Sequence, residues 1–238
     1  MESGILYGIG VGPGDPELIT LKAVRILRLV DAVFAAASPQ KSHSLASQIA
    51  SSHLKEGVSV RLLNFPMTRK EDELKSAWLE NARKVLSILK QGKNVAFLTL
   101  GDPMTYSTFG YLMRTIKEIA PDTPIEIVPG ITSYQAGAAT CGFVLAEGEE
   151  SFTVISGALG AQRLKEVVKH SDSVVMLKVY RSYNEIRNIL EDLDLADNSI
   201  LISQCGLNGE RIIRNIKGST NKTPPYLSFL LIRKDRPK

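Results

Sequence analysis

A chain of 238 residues holds one large domain or two small ones, and either size buries enough apolar surface to fold without cross-links. Its 29 Lys and Arg against 25 Asp and Glu leave a formal charge of +4, spread along the chain without a dense basic patch or interleaved aromatics, which argues against nucleic acid as a partner. The two cysteines, Cys141 and Cys205, make no pairing or metal-ligand pattern, so a disulfide framework is excluded and a reducing, cytoplasmic setting is expected.

The chain opens without a basic segment followed by a long apolar run, and no stretch approaches the ~18 apolar residues of a membrane span, so a soluble protein with no membrane partner is expected. Residues 5–10 read as a short buried strand, after which Leu18, Leu21, Val24, Ile26 and Leu27 recur at helical spacing over 16–30. A second apolar run over 31–37 is followed by a helix over 45–54 and a strand over 58–63. The amphipathic stretch 71–91 puts Leu74, Trp78, Ala82, Val85 and Leu89 on one face and stops at Gly92. A strand over 95–100 and a helix over 106–119 lead to the turn Pro121-Asp122-Thr123-Pro124. This alternation predicts a parallel sheet, and the turn is the expected boundary between domains 1–121 and 122–238.

The second half opens with a strand over 125–128 and a helix over 132–141. Strands follow near 152–156, 173–179 and 200–204, with a helix over 182–193. Two further strand-like runs, 212–216 and 226–232, have no helix between them and are expected to pair as antiparallel neighbours across a polar loop. The second domain is therefore expected to be mixed α/β.

Chemistry concentrates in the loops. Gly8, Gly10, Gly12 and Gly14 alternate through the first, removing side chains where a backbone turns sharply or approaches a ligand. A dinucleotide fingerprint needs Gly-x-Gly-x-x-Gly, but the sixth position is Pro13 counted from Gly8 and Asp15 counted from Gly10. Asp31 also begins the second strand rather than ending it, which argues against a nicotinamide site. Gly14-Asp15-Pro16 and Gly101-Asp102-Pro103 each follow a strand and precede a helix. Asp before Pro at a helix start caps unpaired amides, and that is the reading for Asp15. For Asp102, capping and ligand contact stay equally open, because it lies at a strand's carboxyl end, where α/β sheets place ligands. A third turn, Val128-Pro129-Gly130-Ile131-Thr132-Ser133, carries hydroxyls that cap a helix or reach a ligand, capping being the simpler reading. The small residues Ala136-Gly137-Ala138-Ala139 suit close helix packing. His43, His53 and His170 are isolated, so neither a Ser-His-Asp set nor a protein-bound metal is expected.

Residues 10–23 (Gly-Val-Gly-Pro-Gly-Asp-Pro-Glu-Leu-Ile-Thr-Leu-Lys-Ala), Gly101-Asp102-Pro103 and Pro129-Gly130-Ile131-Thr132-Ser133 follow one another in the order and spacing of the tetrapyrrole methylases. The chain resembles that family along essentially its whole length, most clearly over 5–149. Asn64-Phe65-Pro66-Met67-Thr68, residues 100–108, Leu145-Ala146-Glu147-Gly148 and Ser44-Leu45-Ala46 are similar to the branch that methylates carbon 20 of precorrin-2, or of its cobalt form cobalt-factor II, in cobalamin biosynthesis. The resemblance implies a two-domain α/β fold, each domain a mixed sheet flanked by helices, with the active site in the interdomain cleft. It also implies S-adenosylmethionine as cofactor, a homodimer, and cofactor contacts at Pro13, Leu100, Gly101, Asp102, Thr105, Thr132 and Ser133, with Lys178 and Gly206 as counterparts in the second domain. The chain departs from the family at Ala35-Ala36-Ala37-Ser38-Pro39, where relatives often carry a tyrosine or proline just after the second strand.

A sulfonium methyl is already electrophilic and a meso carbon of a reduced tetrapyrrole already nucleophilic, so displacement needs alignment and shielding more than acid–base groups. If proton loss from the methylated carbon needs a base, Tyr106 and Glu147 are the candidates within reach of a cleft, but the sequence assigns neither a role. Lys41, Arg69, Lys178 and Arg181 are candidates to meet the substrate's carboxylates. Two competing readings are methylation at another position or of another acceptor, and a non-catalytic relative that binds nucleotide or tetrapyrrole; the intact loops argue against the latter.

Overall fold

A computed structural model describes residues 3–37, 44–217 and 223–234. Lys41, His43 and the Ser38-Pro39 part of the family departure lie outside the described residues. The chain divides into two compact units, Met1–Thr132 and Ser133–Lys238.

The first unit carries β1 (Leu6–Gly10), β2 (Ala32–Ala36), β3 (Val60–Leu63), β4 (Val95–Thr99) and β5 (Ile125–Val128) in the order β3-β2-β4-β1-β5. All four pairings are parallel. A parallel sheet is covered on both faces, so its inner strands read as unbroken apolar runs; every residue of β4 is buried. On one face α3 (Glu71–Leu89) and α4 (Phe109–Ile119) set Val85, Leu89, Leu112 and Ile116 against Leu6, Phe34 and Phe97. On the other, α1 (Leu21–Leu27) and α2 (Leu45–Ala50) bring Ile26, Leu27 and Ile49 to Ile9, Val33 and Leu98.

The stretch expected to be one helix over 16–30 is two pieces. A single 3-10 turn, Pro16–Leu18, is capped by Asp15, whose Oδ1 accepts from the Glu17 amide at 2.9 Å. The turn ends at Ile19, and Thr20 then caps α1, its Oγ1 accepting from the Ala23 amide at 3.2 Å. β5 lies beyond the Pro121 to Pro124 turn yet pairs with β1, so that turn is the α4 to β5 connection, and the compact units part at Thr132 instead.

The second unit has β6 (Phe152–Ser156), β7 (Ser173–Leu177), β8 (Ser199–Ser203), β9 (Arg211–Arg214) and β10 (Ser228–Arg233) in the order β6-β7-β10-β8-β9. β6 and β7 are parallel, and the other pairings are antiparallel, so β6, β7 and β8 all run the same way. The expected pairing of the last two strands is corrected here: β9 forms a hairpin with β8, and β10 inserts between β7 and β8. The reason lies in composition. Five of the six residues of β10 are buried, which only an inner strand satisfies, whereas Arg211-Ile212-Ile213-Arg214 has no buried residue and suits an edge.

α6 (Gln162–His170) and α7 (Tyr183–Asp192) bring Leu164, Val168, Ile186 and Leu190 against Ile155, Met176, Leu201 and Leu230. α5 (Ser133–Cys141) covers Val175, Ile202, Phe229 and Leu231 with Ala138 and Cys141. A Cβ on Gly137 would come within 2.7 Å of the Phe229 ring, so the small-residue face of α5 serves close packing. Sequence periodicity gave no sign of α6, whose nine residues bury only Leu164 and Val168. Among the described residues no helix is long and apolar enough to cross a membrane.

Candidate active site

The carboxyl ends of β1, β4 and β5 converge in the first unit. Beyond the last paired residues, Gly10 and Thr99, the two chains stay joined by an antiparallel bridge. Gly101 donates to the Gly12 carbonyl at 2.7 Å, and Gly12 donates back at 3.3 Å. Gly12 and Gly101 hold positive φ, +82° and +71° respectively, which side-chain-bearing residues rarely adopt.

The third turn locks against this bridge by backbone alone. A Cβ on Gly10 would lie 2.5 Å from the Gly101 oxygen and 2.7 Å from the Gly130 nitrogen, and one on Gly130 would lie 2.8 Å from the Gly10 carbonyl carbon. Gly8 has a different use: the Phe109 ring lies where its side chain would be.

Asp102 fastens two of the three turns. Its Oδ1 accepts from the Met104 amide at 2.8 Å and from the Thr105 hydroxyl at 3.3 Å, and its Oδ2 accepts from the Gly130 amide at 3.0 Å. It caps no helix, since α4 starts only at Phe109. The carboxylate instead ties the β4 loop to the β5 loop, a role that neither expectation for it contained.

Pro13, Leu100, Gly101, Asp102, Thr105 and Thr132 thus gather at one end of one sheet, the first next to the bridge and the last with its Cα 3.8 Å from where a Gly101 Cβ would stand. Ser133, Lys178 and Gly206 belong to the second unit. Ser133 opens α5, and Lys178 and Gly206 follow the carboxyl ends of β7 and β8. Lys178 has φ +59° and Gln204, directly after β8, has φ +53°. Such strain in non-glycine residues gathers at ligand sites. Gln204 escaped the sequence reading, because no local signal announces a strained glutamine.

The two cysteines are buried free thiols of the second unit. Burial, and then Glu210 beside it, pushes Cys205 up to about 12, and burial raises Cys141 as well. Neither is poised as a nucleophile.

Residues 5–217 match the family of Tetrapyrrole (Corrin/Porphyrin) Methylases. This chain belongs to that family. It is 35% identical to the cobalt-precorrin-2 C(20)-methyltransferase of Salmonella typhimurium over 98% of this chain and 97% of that one. It is 32% identical to the probable cobalt-precorrin-2 C(20)-methyltransferase of Methanocaldococcus jannaschii, over 96% of each. Among solved structures it is similar to a cobalt precorrin-4 methyltransferase at 25% identity, with a TM-score of 0.74 over 96% of this chain and 94% of that one. Membership makes this tetrapyrrole methylase an S-adenosylmethionine-dependent C-methyltransferase.

Proposed function

We propose that the chain transfers the methyl group of S-adenosylmethionine to carbon 20 of the cobalt form of precorrin-2, in cobalamin biosynthesis. The observation that carries this reading is the convergence of Gly12, Gly101-Asp102 and Thr132 at one sheet end, in a family member whose two quoted curated relatives both bear that activity in their names. Cobalt enters as part of the substrate.

The residues suit the donor. Gly101 combines a backbone that demands glycine with open space, since a Cβ there would meet nothing closer than 3.8 Å. Thr105, Thr132 and Ser133 are proposed to supply hydroxyls and Lys178 an ammonium for an amino acid and a ribose, with Pro13, Leu100, Gly101 and Gly206 as the backbone that the donor approaches. When bound, S-adenosylmethionine supplies an electrophilic methyl on a sulfonium. The chain's own contribution is positioning: turns tied to one another by Asp102 and by glycine contacts hold their donors and acceptors in place before the ligand arrives, so little ordering remains at binding. The Asp102 carboxylate also places negative charge in the turn proposed to meet the sulfonium.

The protein is further proposed to act as a cytoplasmic homodimer, a reading supported by the family resemblance and by two free thiols. Light scattering on the purified chain tests the dimer. For the activity, the purified protein is incubated with labelled donor and with either precorrin-2 or its cobalt form, and the product is examined by mass and carbon NMR. One added methyl at carbon 20, formed faster on the cobalt form, is expected. A methyl on another carbon, or none on either substrate, overturns the reading.

A further inference from the structure

Beside Lys178, one end of the second sheet carries features that the donor site does not use. Because β6, β7 and β8 run the same way, the loops that follow them and the entry to β10 share that end. Leu177 is opposite Phe229 and Ser203 opposite Ser228, so Lys178 and Gln204, both strained, flank the start of β10. Just outside stands Tyr226, 61% exposed, meeting Tyr180 edge to face with ring centroids 5.1 Å apart. The Arg181 guanidinium lies over the Tyr180 ring at 5.3 Å.

Arg181 stands apart from the arginines of this unit that are tied to the chain. Arg187 pairs with Glu191 at 3.5 Å, Arg233 with Glu150 at 2.9 Å, and Arg214 donates to the Cys141 carbonyl at 3.0 Å. Among the described residues no carboxylate pairs with Arg181. A guanidinium held on a ring gives up less conformational freedom when it grips an oxyanion, and its planar fork matches a carboxylate. Stacking leaves the guanidinium edges, where its donors lie, open to a partner.

We infer that Arg181, seated on the Tyr180 ring, reads a carboxylate side arm of the tetrapyrrole and sets specificity for the polyacidic substrate. This rests on the proposed reaction for the identity of the acid, and it singles out one of four cations that the sequence left equivalent. Arg181 is a specificity residue here, with no part in the displacement.

The test compares the full-length protein with Arg181→Gln, Arg181→Lys and Tyr180→Leu. Binding of the cobalt tetrapyrrole is followed by absorbance titration, with the compound as free acid and as its methyl ester; turnover and S-adenosylmethionine binding are measured in parallel. For Arg181→Gln, Kd and KM for the free acid are expected to rise about tenfold or more, as loss of a charged hydrogen bond predicts. Its kcat should stay within about twofold and its donor affinity should be unchanged. The penalty should vanish on the ester, where no anion remains to be read. Arg181→Lys should recover part of the loss, because it restores charge without the fork, and Tyr180→Leu should weaken the free acid selectively. Equal Kd for wild type and Arg181→Gln on the free acid, or a loss that persists undiminished on the ester, overturns the inference. A wild type that binds the tetrapyrrole but methylates neither form overturns the proposed reaction instead, and the Kd ratio still decides the role of Arg181.

Discussion

Asp102 uses both carboxylate oxygens on its own chain, accepting from Met104, Thr105 and Gly130. Two of those donors are backbone amides, which its removal would leave without their acceptor. Asp102→Ala is therefore expected to cost about 2–3 kcal/mol of stability and also to weaken S-adenosylmethionine binding, because the turns it joins lose their register. Thermal unfolding and calorimetry read the two effects separately; full donor affinity in a folded variant would confine Asp102 to a structural role. The sequence marked Asp102 as important but not as a staple between loops, since its partner Gly130 is remote along the chain and only the fold brings them together. Asp15 was legible in full, its partner being two residues away. Cys205 makes a pH prediction. Its folded value, about 12, lies above the ~8.5 of an unfolded thiol. The buried thiol's contribution is thus fully present below about pH 8.5 and declines as pH rises toward 12, by at most about 1.4 kcal/mol per unit. Denaturant titrations between pH 8 and 10 should show this decline, and Cys205→Ser or Cys205→Ala should remove most of it. Thiol labelling of the native protein at pH 8 should likewise be slow beside the denatured chain.

At the scale of elements, the turns of the first unit depend on backbone packing rather than on side chains. Gly130→Ala would drive a Cβ into the Gly10 backbone, 2.8 Å away, with no flexible group to yield. A loss of more than about 3 kcal/mol, or failure to fold, is expected. Gly57→Ala is the control: that glycine also has positive φ, +79°, but nothing stands within 4 Å, so only the backbone penalty of about 1–2 kcal/mol applies. Comparable unfolding midpoints for the two variants would refute the packing argument. Long amphipathic elements were readable in the sequence, as α3 and α7 show by starting and ending within two residues of their expected limits. Short ones were not. α6 is too brief to display a period, and a tight turn replaced the first part of the helix expected over 16–30, because the Thr20 hydroxyl offered the chain a new start. Strand partners were the least legible, since an apolar run reports that a strand is buried and not which neighbours bury it.

For the molecule as a whole, each sheet is built from its own unit, but the second depends on its last strand. All five strands of the first sheet lie between Leu6 and Val128, and both of its faces are packed by residues of the same unit. In the second sheet, β10 is the sole link between the β6-β7 pair and the β8-β9 hairpin, and it comes from the carboxyl-terminal end of the described chain. Without it, β7 and β8 would stand apart by about twice the ~4.8 Å strand spacing, with their inner hydrogen-bonding edges unsatisfied. The core of the second unit would also lose Phe229, Leu230, Leu231 and Ile232, all buried. Ending the chain after Tyr226 is therefore expected to unfold the second unit and to leave the first intact, as units with separate cores permit. Limited proteolysis with mass spectrometry checks this: a resistant fragment ending near Thr132 should accumulate, and amide exchange should stay slow in β1 and β4. Cleavage spreading evenly through both units would mean that they form one cooperative structure, and that the donor turns depend on the second unit for their order.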